Sequence, residues 1–424
     1  MRNEHKPFAP FSKNSKEYIL CSEHAWFNVL EGSKRGTKNV TNTFAFCRLL
    51  EHHPNDLHLI AGYTSGAAGA LIYKSDGFGI ERYFDGRCST GKYEGKPCYF
   101  IQTATGEKTI LRAGGRDILS QDFIAGFTFG MAYITEVNRC HPNFIEEVFS
   151  RTFSSQRRKV FHDLNPKSEG HWYYTDVLAQ YEKLKAADPT YGYNYGHLTM
   201  ADNLSMSDEQ IREAVRSVKK GTVWYARDIL GQRRQAEGLV YEGVFNPDTC
   251  VEKPTERQYR KYRVSIDYGA RNPFVALLWG LGFDGVWYCI DEYYHSGRTD
   301  GRMEVTQYIT EMEKMFAGCK IEWIIFDPSA SVLDDSLYRK YKTVPADNDV
   351  SDGIENVATA LHAGLIKFSS KCINTIREFG LYSWNDKRND ADVVVKENDH
   401  CMDSVRYFVH TSRIVEDYKR RRGA

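Results

Sequence analysis

The chain has 424 residues, 56 of them basic and 56 acidic, so its formal net charge is zero. That length exceeds what one hydrophobic core sustains and predicts two domains with a connector, while the balanced charge excludes a global positive field and confines any nucleic-acid contact to local patches. Ten cysteines without a C-x-x-C pair exclude a zinc ribbon and a disulfide framework, and "MRNEHKPFAPFSKNSKEY" has no apolar signal region, which together predict a soluble protein of a reducing compartment with no membrane role.

In the first half, apolar runs alternate with helical patterns: "AWFNVLEG" (25–32), "VTNTFAFCRLLEHH" (40–53), "LHLIAGY" (57–63) and "TSGAAGALIYK" (64–74). Strands alternating with crossover helices predict a parallel α/β sheet. A hairpin is expected over 98–115 with Thr105-Gly106 near its turn, followed by strands in "GMAYITEV" (130–137) and "RKVFHDLNP" (158–166). Between the first strand and the first helix lies "EGSKRGTKN" (31–39). A phosphate loop is built as G-x-x-x-x-G-K-[ST], with backbone N–H groups around the phosphates, Lys on the terminal phosphates and a hydroxyl on Mg²⁺. With Lys38 as that lysine, Gly32 falls in place, Gly36 lies one residue early, Thr37 stands for the second glycine and Asn39 for the hydroxyl residue.

From 201 to 250 the texture turns polar and helical, with Ser207 and Gln210 at capping-box spacing, and this stretch is read as a connector between a domain at 1–200 and another at 251–424. Beyond it, "YRVSIDYG" (262–269), "FVALLWGLG" (274–282) and "VWYCIDEYY" (286–294) predict an antiparallel meander, followed by a helix over 303–316, a strand "IEWIIFDPS" (321–329) and a helical "NDHCMDSVRYFVHTS" (398–412). Asp267 sits inside an apolar strand, Asp327 closes another, and Asp403 shares a helical stretch with Asp399 and His400. A carboxylate inside "VSIDYG" is costly unless compensated. Carboxylates converging from separate elements suit Mg²⁺ or Mn²⁺, and two such ions ~3.5–4 Å apart activate water and stabilise the leaving oxygen in phosphodiester hydrolysis. The element order is that of the RNase H-like fold.

"SIDYG", "IIFDPSA", "VPADNDVSDGIENVATALHAGLIKFSSKC", "YSWN" and "DHCMDSVRY" occur in the order found in the terminase large subunit of tailed phages, which the chain resembles over about 150 residues of this half. The resemblance implies Asp267, Asp327 and Asp403 as ligands of two Mg²⁺ or Mn²⁺ ions, with Asp399 or His400 as a further ligand or proton-transfer group. In the N-terminal half, "MAYITEV" resembles a Walker B strand with Thr135 at the first acidic position and Glu136 at the second, the one that activates water. "KVFHDLNP" resembles the family's coupling motif, with Asn165 as the γ-phosphate sensor, and "GQRRQAEGLVYEGVF" (231–245) its passage from linker to nuclease. Lys34, or else Arg35, would stand for an arginine finger acting in cis, although lysine lacks the bidentate fork.

The resemblance thus implies a P-loop ATPase joined through a helical linker to an RNase H-like nuclease. Such a protein uses ATP with Mg²⁺ to drive viral double-stranded DNA into a procapsid and cuts concatemers. It implies a small terminase subunit and a portal protein as partners, a monomer in solution that forms a ring on the portal, and residence in the host cytoplasm. The second reading is a metal-dependent nuclease or resolvase with a non-hydrolysing N-terminal scaffold, since Asn39 and Thr135 replace residues that normally hold Mg²⁺. Of the basic runs, "RQYRKYR" (257–263) suits a DNA path, "KRRR" (419–422) a phosphate contact or a tail docked on the portal, and "QRRK" (156–159) a solvated face.

Overall fold

The computed structural model describes residues 8, 10–268, 273–296, 301, 303–328, 330, 336–385 and 392–421; Gly269, Ser329 and Arg422 of the motifs above lie outside them. The chain divides into two compact units, residues 1–211 with 225–234, and residues 212–224 with 235–424. The stretch 201–250 is therefore shared: 225–234 belongs to the first unit while the residues on either side of it belong to the second. Its capping box is formed, with Ser207 N–H donating to Gln210 Oε1 at 2.8 Å and Gln210 N–H to Ser207 Oγ at 3.2 Å.

The first unit is a mixed eight-stranded sheet. Its strands are β1 (Phe27–Gly32), β2 (Leu57–Gly62), β3 (Cys88–Tyr93), β4 (Lys96–Thr103), β5 (Gly106–Gly114), β6 (Met131–Ile134), β7 (Lys159–Leu164) and β8 (Tyr193–Leu198), in the order β3-β4-β5-β2-β6-β7-β1-β8. From β5 to β8 every pairing is parallel, and β3, β4 and β5 form the antiparallel edge that contains the expected hairpin. β1 and β7 are buried at every position, as strands covered on both faces must be. β7 runs between β6 and β1, with Ile134 opposite His162 and Leu30 opposite Asp163. The next residue after β6, Thr135, is thereby set beside Asp163, at the C-terminal edge where parallel sheets carry their ligands.

The second unit is a seven-stranded sheet of β9 (Val251–Glu252), β10 (Lys261–Asp267), β11 (Pro273–Leu281), β12 (Trp287–Ser296), β13 (Ile321–Phe326), β14 (Thr343–Pro345) and β15 (Ile366–Ser369), ordered β14-β13-β10-β11-β12-β15-β9. The expected meander β10-β11-β12 is antiparallel, and β13 runs parallel to β10 with Ile266 opposite Phe326. The helix His400–Thr411 lies on β10 and β11. It is fixed there by a bond between Ser265 Oγ and Ser404 Oγ at 2.9 Å, the Trp279 indole N–H on Ser265 Oγ at 3.0 Å, and Trp279 stacked on Phe408 with centroids 4.0 Å apart. Among the described residues no helix is long and apolar enough to cross a membrane.

Candidate nucleotide and metal sites

The loop between β1 and the helix Lys38–Leu50 is pressed against β8: a Cβ on Gly32 would stand 1.7 Å from the Leu198 carbonyl oxygen, so only glycine fits there. Arg35 and Thr37 both adopt φ 63°, a left-handed conformation that costs a non-glycine residue about 1–2 kcal/mol. Thr37 stands where the phosphate-loop pattern has glycine, and it caps no helix N–H; its hydroxyl donates to the Gly36 carbonyl at 2.6 Å. Thr37→Gly is accordingly expected to stabilise the protein by about 1 kcal/mol, read as a higher urea midpoint at constant m-value. A lower midpoint would show that the hydroxyl bond outweighs the strain.

Lys38 is buried, and its Nζ donates to the carbonyls of Gly32 at 3.1 Å and Ser33 at 2.6 Å. Burial pulls its ammonium down to about 8, against the opposing charges of Asp163, Asp228, Glu136 and Glu31. Residues 225–234 lie along the same loop. Lys34 N–H donates to the Asp228 carbonyl at 3.1 Å and Lys34 Nζ pairs with the Asp228 carboxylate at 3.4 Å. Glu31, the residue before Gly32, is buried and takes Arg233 on both oxygens at 2.7–3.1 Å, with the hydroxyls of Tyr174 at 2.6 Å and Tyr195 at 2.7 Å completing its shell. A buried carboxylate so enclosed is held by charge-assisted, bidentate bonding.

Across the sheet edge, Glu136 follows β6 at φ 49° and pairs with Arg139 at 3.3 Å. Thr135 Oγ1 accepts from Asn39 Nδ2 at 2.9 Å and donates to Asp163 Oδ1 at 3.1 Å. Asp163, fully buried, also takes the Glu136 N–H at 3.2 Å and the Tyr133 hydroxyl at 2.6 Å. Burial pushes its carboxyl up to about 6, while these bonds and Lys38 pull the other way. Asn165 directly follows β7, half-buried, and its carbonyl accepts from Asn138 Nδ2 at 2.8 Å. Lys38, Asn39, Glu136 and Asn165, singled out in the sequence, thus stand at the C-terminal ends of the neighbouring strands β1, β6 and β7. Sequence reasoning missed Asp163, because Lys159 and His162 in "KVFHDL" break the apolar run that makes Asp267 stand out. Among the described residues the buried Ser33 Oγ has no hydrogen-bond partner, and a loop carrying that hydroxyl, Lys38 and tightly turned backbone fits a phosphate chain and its Mg²⁺.

In the second unit, Asp267 ends β10, Asp327 follows β13 on the adjacent strand, and Asp403 lies in the first turn of the helix His400–Thr411. Burial pushes the Asp267 carboxyl up to about 6, with Asp403 and Asp399 adding to the rise and the His400 hydrogen bond opposing it. His400 Nδ1 meets Asp267 Oδ2 at 2.8 Å. Burial lowers the imidazole, but the bond and charge of Asp267 outweigh it and leave His400 above its ordinary value. Asp327 accepts the Tyr407 hydroxyl at 2.8 Å. Asp399 precedes the helix yet makes no capping bond; Lys396 Nζ bridges it to Asp403, 3.2 Å from each. Arg406 donates to Asp403 Oδ1 at 2.9 and 3.2 Å. Sequence reasoning passed over Lys396, Arg406 and Tyr407; the i,i+3 spacing of Asp403 and Arg406 on a helix was the available signal.

Among the described residues no three acidic, histidine or cysteine side chains are arranged to hold a metal ion. The carboxylate charge is met here by Lys396, Arg406 and His400. Hard carboxylate oxygens are the donor type that Mg²⁺ and Mn²⁺ take, and burial with the acidic groups beside it raises the Asp267 carboxyl.

Comparison with known proteins gave one family, described as phage terminase large subunit, matching residues 96–231. Among solved structures, the large terminase of a thermophilic bacteriophage is similar at 30% identity and TM-score 0.86, over 95% of this chain and 99% of that one. The same protein in complex with ADP gives 29% identity and 0.85 over 95% and 99% of the two chains. In complex with ATP-gamma-S it gives 29% and 0.84 over 94% and 98%. No curated protein matched.

Proposed function

Since the chain belongs to the large terminase family of tailed phages, a DNA-packaging motor and nuclease, we propose that residues 1–200 carry the ATPase and 251–424 a metal-dependent endonuclease, with 201–250 linking them. The observation that carries the motor is the placement of Lys38, Glu136 and Asn165 at the ends of β1, β6 and β7. That the thermophilic phage relative binds ADP and ATP-gamma-S supports the same nucleotides here.

In this reading Lys38 leaves the Gly32 and Ser33 carbonyls to bind the terminal phosphates, and Glu136 orients and deprotonates the attacking water. Lys34, or else Arg35, neutralises charge on the transferring phosphoryl group, and Asn165 senses the γ-phosphate. In the nuclease, Asp267, Asp327 and Asp403 would hold two Mg²⁺ or Mn²⁺ ions, Asp399 or His400 assisting. When bound, the ions would supply an activated water and charge neutralisation at the leaving oxygen. His400, whose ring meets Asp267, or else Asp399 would move the proton. The substrate is double-stranded viral DNA, the partners are a small terminase subunit and a portal protein on which copies form a ring, and the setting is the host cytoplasm.

The test is separability. Substitutions at Lys38 or Glu136 are expected to abolish ATP turnover and spare Mn²⁺-dependent plasmid cleavage, and substitutions at Asp267 or Asp403 the reverse. A single substitution that removes both from a folded protein would overturn the division of chemistry.

A further inference from the structure

The motor departs from its family pattern at two places that both concern Mg²⁺: Asn39 stands for the hydroxyl ligand and Thr135 for the first acid of the Walker B strand. The structure joins these departures in one hydrogen-bonded chain. Asp163 Oδ1 lies 3.1 Å from Thr135 Oγ1, and Thr135 Oγ1 lies 2.9 Å from Asn39 Nδ2. Direction in this chain follows from chemistry. An ionised carboxylate only accepts, so Thr135 must spend its one proton on Asp163 and can only accept from Asn39. Asn39 must therefore turn its NH₂ toward Thr135, and its amide oxygen is the end not engaged there. An amide oxygen is a hard ligand of the kind Mg²⁺ and its waters take, and it sits on the first turn of the helix after the phosphate loop, where the hydroxyl belongs.

The backbone explains how Asp163 reaches this place. β7 is the strand between β6 and β1, and the parallel register sets Asp163 beside Thr135. A carboxylate moved from β6 to the same level of β7 stays at the sheet edge and keeps one negative charge behind the phosphate site. The Tyr133 hydroxyl and the Glu136 N–H fix it from two further directions. The Glu136 bond also ties the residue that activates water to the same carboxylate.

We propose that Asp163 supplies the negative charge absent at position 135 and acts as a positioning residue for the motor's Mg²⁺, orienting Asn39 through the Thr135 hydroxyl so that the Asn39 amide oxygen replaces the usual hydroxyl ligand. This rests on the ATPase reading and names the residues that let it work without the standard letters.

The test measures nucleotide binding rather than turnover. Affinity of the full chain for ATP-gamma-S is determined by calorimetry with Mg²⁺ and again with EDTA, and the ratio is the Mg²⁺ increment. Wild type is expected to show an increment that Asp163→Asn reduces about 10–100-fold, as loss of a carboxylate behind a metal ligand does, with EDTA affinity unchanged. Thr135→Val, which breaks the chain without touching Asp163, is expected to lose it too, and Thr135→Ser to keep it. Thr135→Asp combined with Asp163→Asn restores an acid at the Walker position and is expected to recover the increment, a result that mere structural damage would not give. An undiminished increment in both Asp163→Asn and Thr135→Val overturns the proposal and leaves the ATPase reading standing. Wild type that binds no nucleotide in either condition overturns both.

Discussion

Replacing Asp403 by asparagine is expected to cut Mn²⁺-dependent degradation of plasmid DNA by about 10³-fold, a loss of the size that follows removal of a single preorganised electrostatic group. Asparagine is the informative choice. Arg406 is buried beneath Asp403 and donates two bonds to its Oδ1, and deleting the partner of a buried charge costs about 3–5 kcal/mol. Alanine would thus confound cleavage with folding, whereas asparagine retains an accepting oxygen for the guanidinium and removes the charge a metal needs. Asp267→Asn carries the same expectation, because its carboxylate is held by the His400 ring, which an amide oxygen can still engage. The measurement is plasmid cleavage alongside a thermal melt. Both variants cutting within about threefold of wild type at an unchanged melting temperature would reject these carboxylates as the metal site.

Lys38→Met is expected to reduce ATP turnover by about 10²–10³-fold, and Glu136→Gln by about 10²–10⁴-fold, the range for a positioned general base. The two differ in what else they do. Lys38 is buried, donates to the Gly32 and Ser33 carbonyls and offsets the charge of Asp163, so methionine keeps the apolar stem but removes that compensation and is expected to lower the melting temperature of a still folded protein. Loss of both turnover and nucleotide affinity in that folded variant separates a phosphate contact from a structural lysine. Glu136 is partly exposed and paired to Arg139; glutamine retains a bond to that guanidinium and is expected to bind nucleotide while failing to hydrolyse it. Turnover by Glu136→Gln equal to wild type would remove it from the mechanism.

What the sequence makes legible follows from burial. β11, "PFVALLWGL", is a continuous apolar run because both faces are covered, and such a run stands out, whereas β1 and β7 are equally buried yet carry Asn28, Glu31, Lys159, His162 and Asp163. β8, "YNYGHL", is buried only at its two ends, alternates half-buried and exposed positions between them, and has few aliphatic residues, so it gives no strand signal. Yet its Leu198 carbonyl presses on the loop at Gly32 and requires glycine there. Asp267 is conspicuous on physical grounds, as a charge inside an apolar strand. Asp163 does not meet that criterion, because Lys159 and His162 share its strand, and only the folded chain shows it buried beside Thr135. Lys396 is hidden for another reason. A lysine on a polar segment is usually solvated, and only the folded chain shows that this one bridges Asp399 and Asp403.

The path of residues 225–234 bears on how the protein is dissected into fragments. Asp228 and Arg233 belong to the first unit although 212–224, which precede them, belong to the second. A truncation ending at 211 would sever Arg233 from Glu31 and leave a carboxylate sealed in the interior with two tyrosine hydroxyls and no cation, at the residue that leads into Gly32. Such a fragment begins with a damaged nucleotide loop, and its inactivity would say nothing about whether the motor needs its nuclease. A fragment extended through Arg234 keeps the loop's own counter-ion, which makes its turnover interpretable.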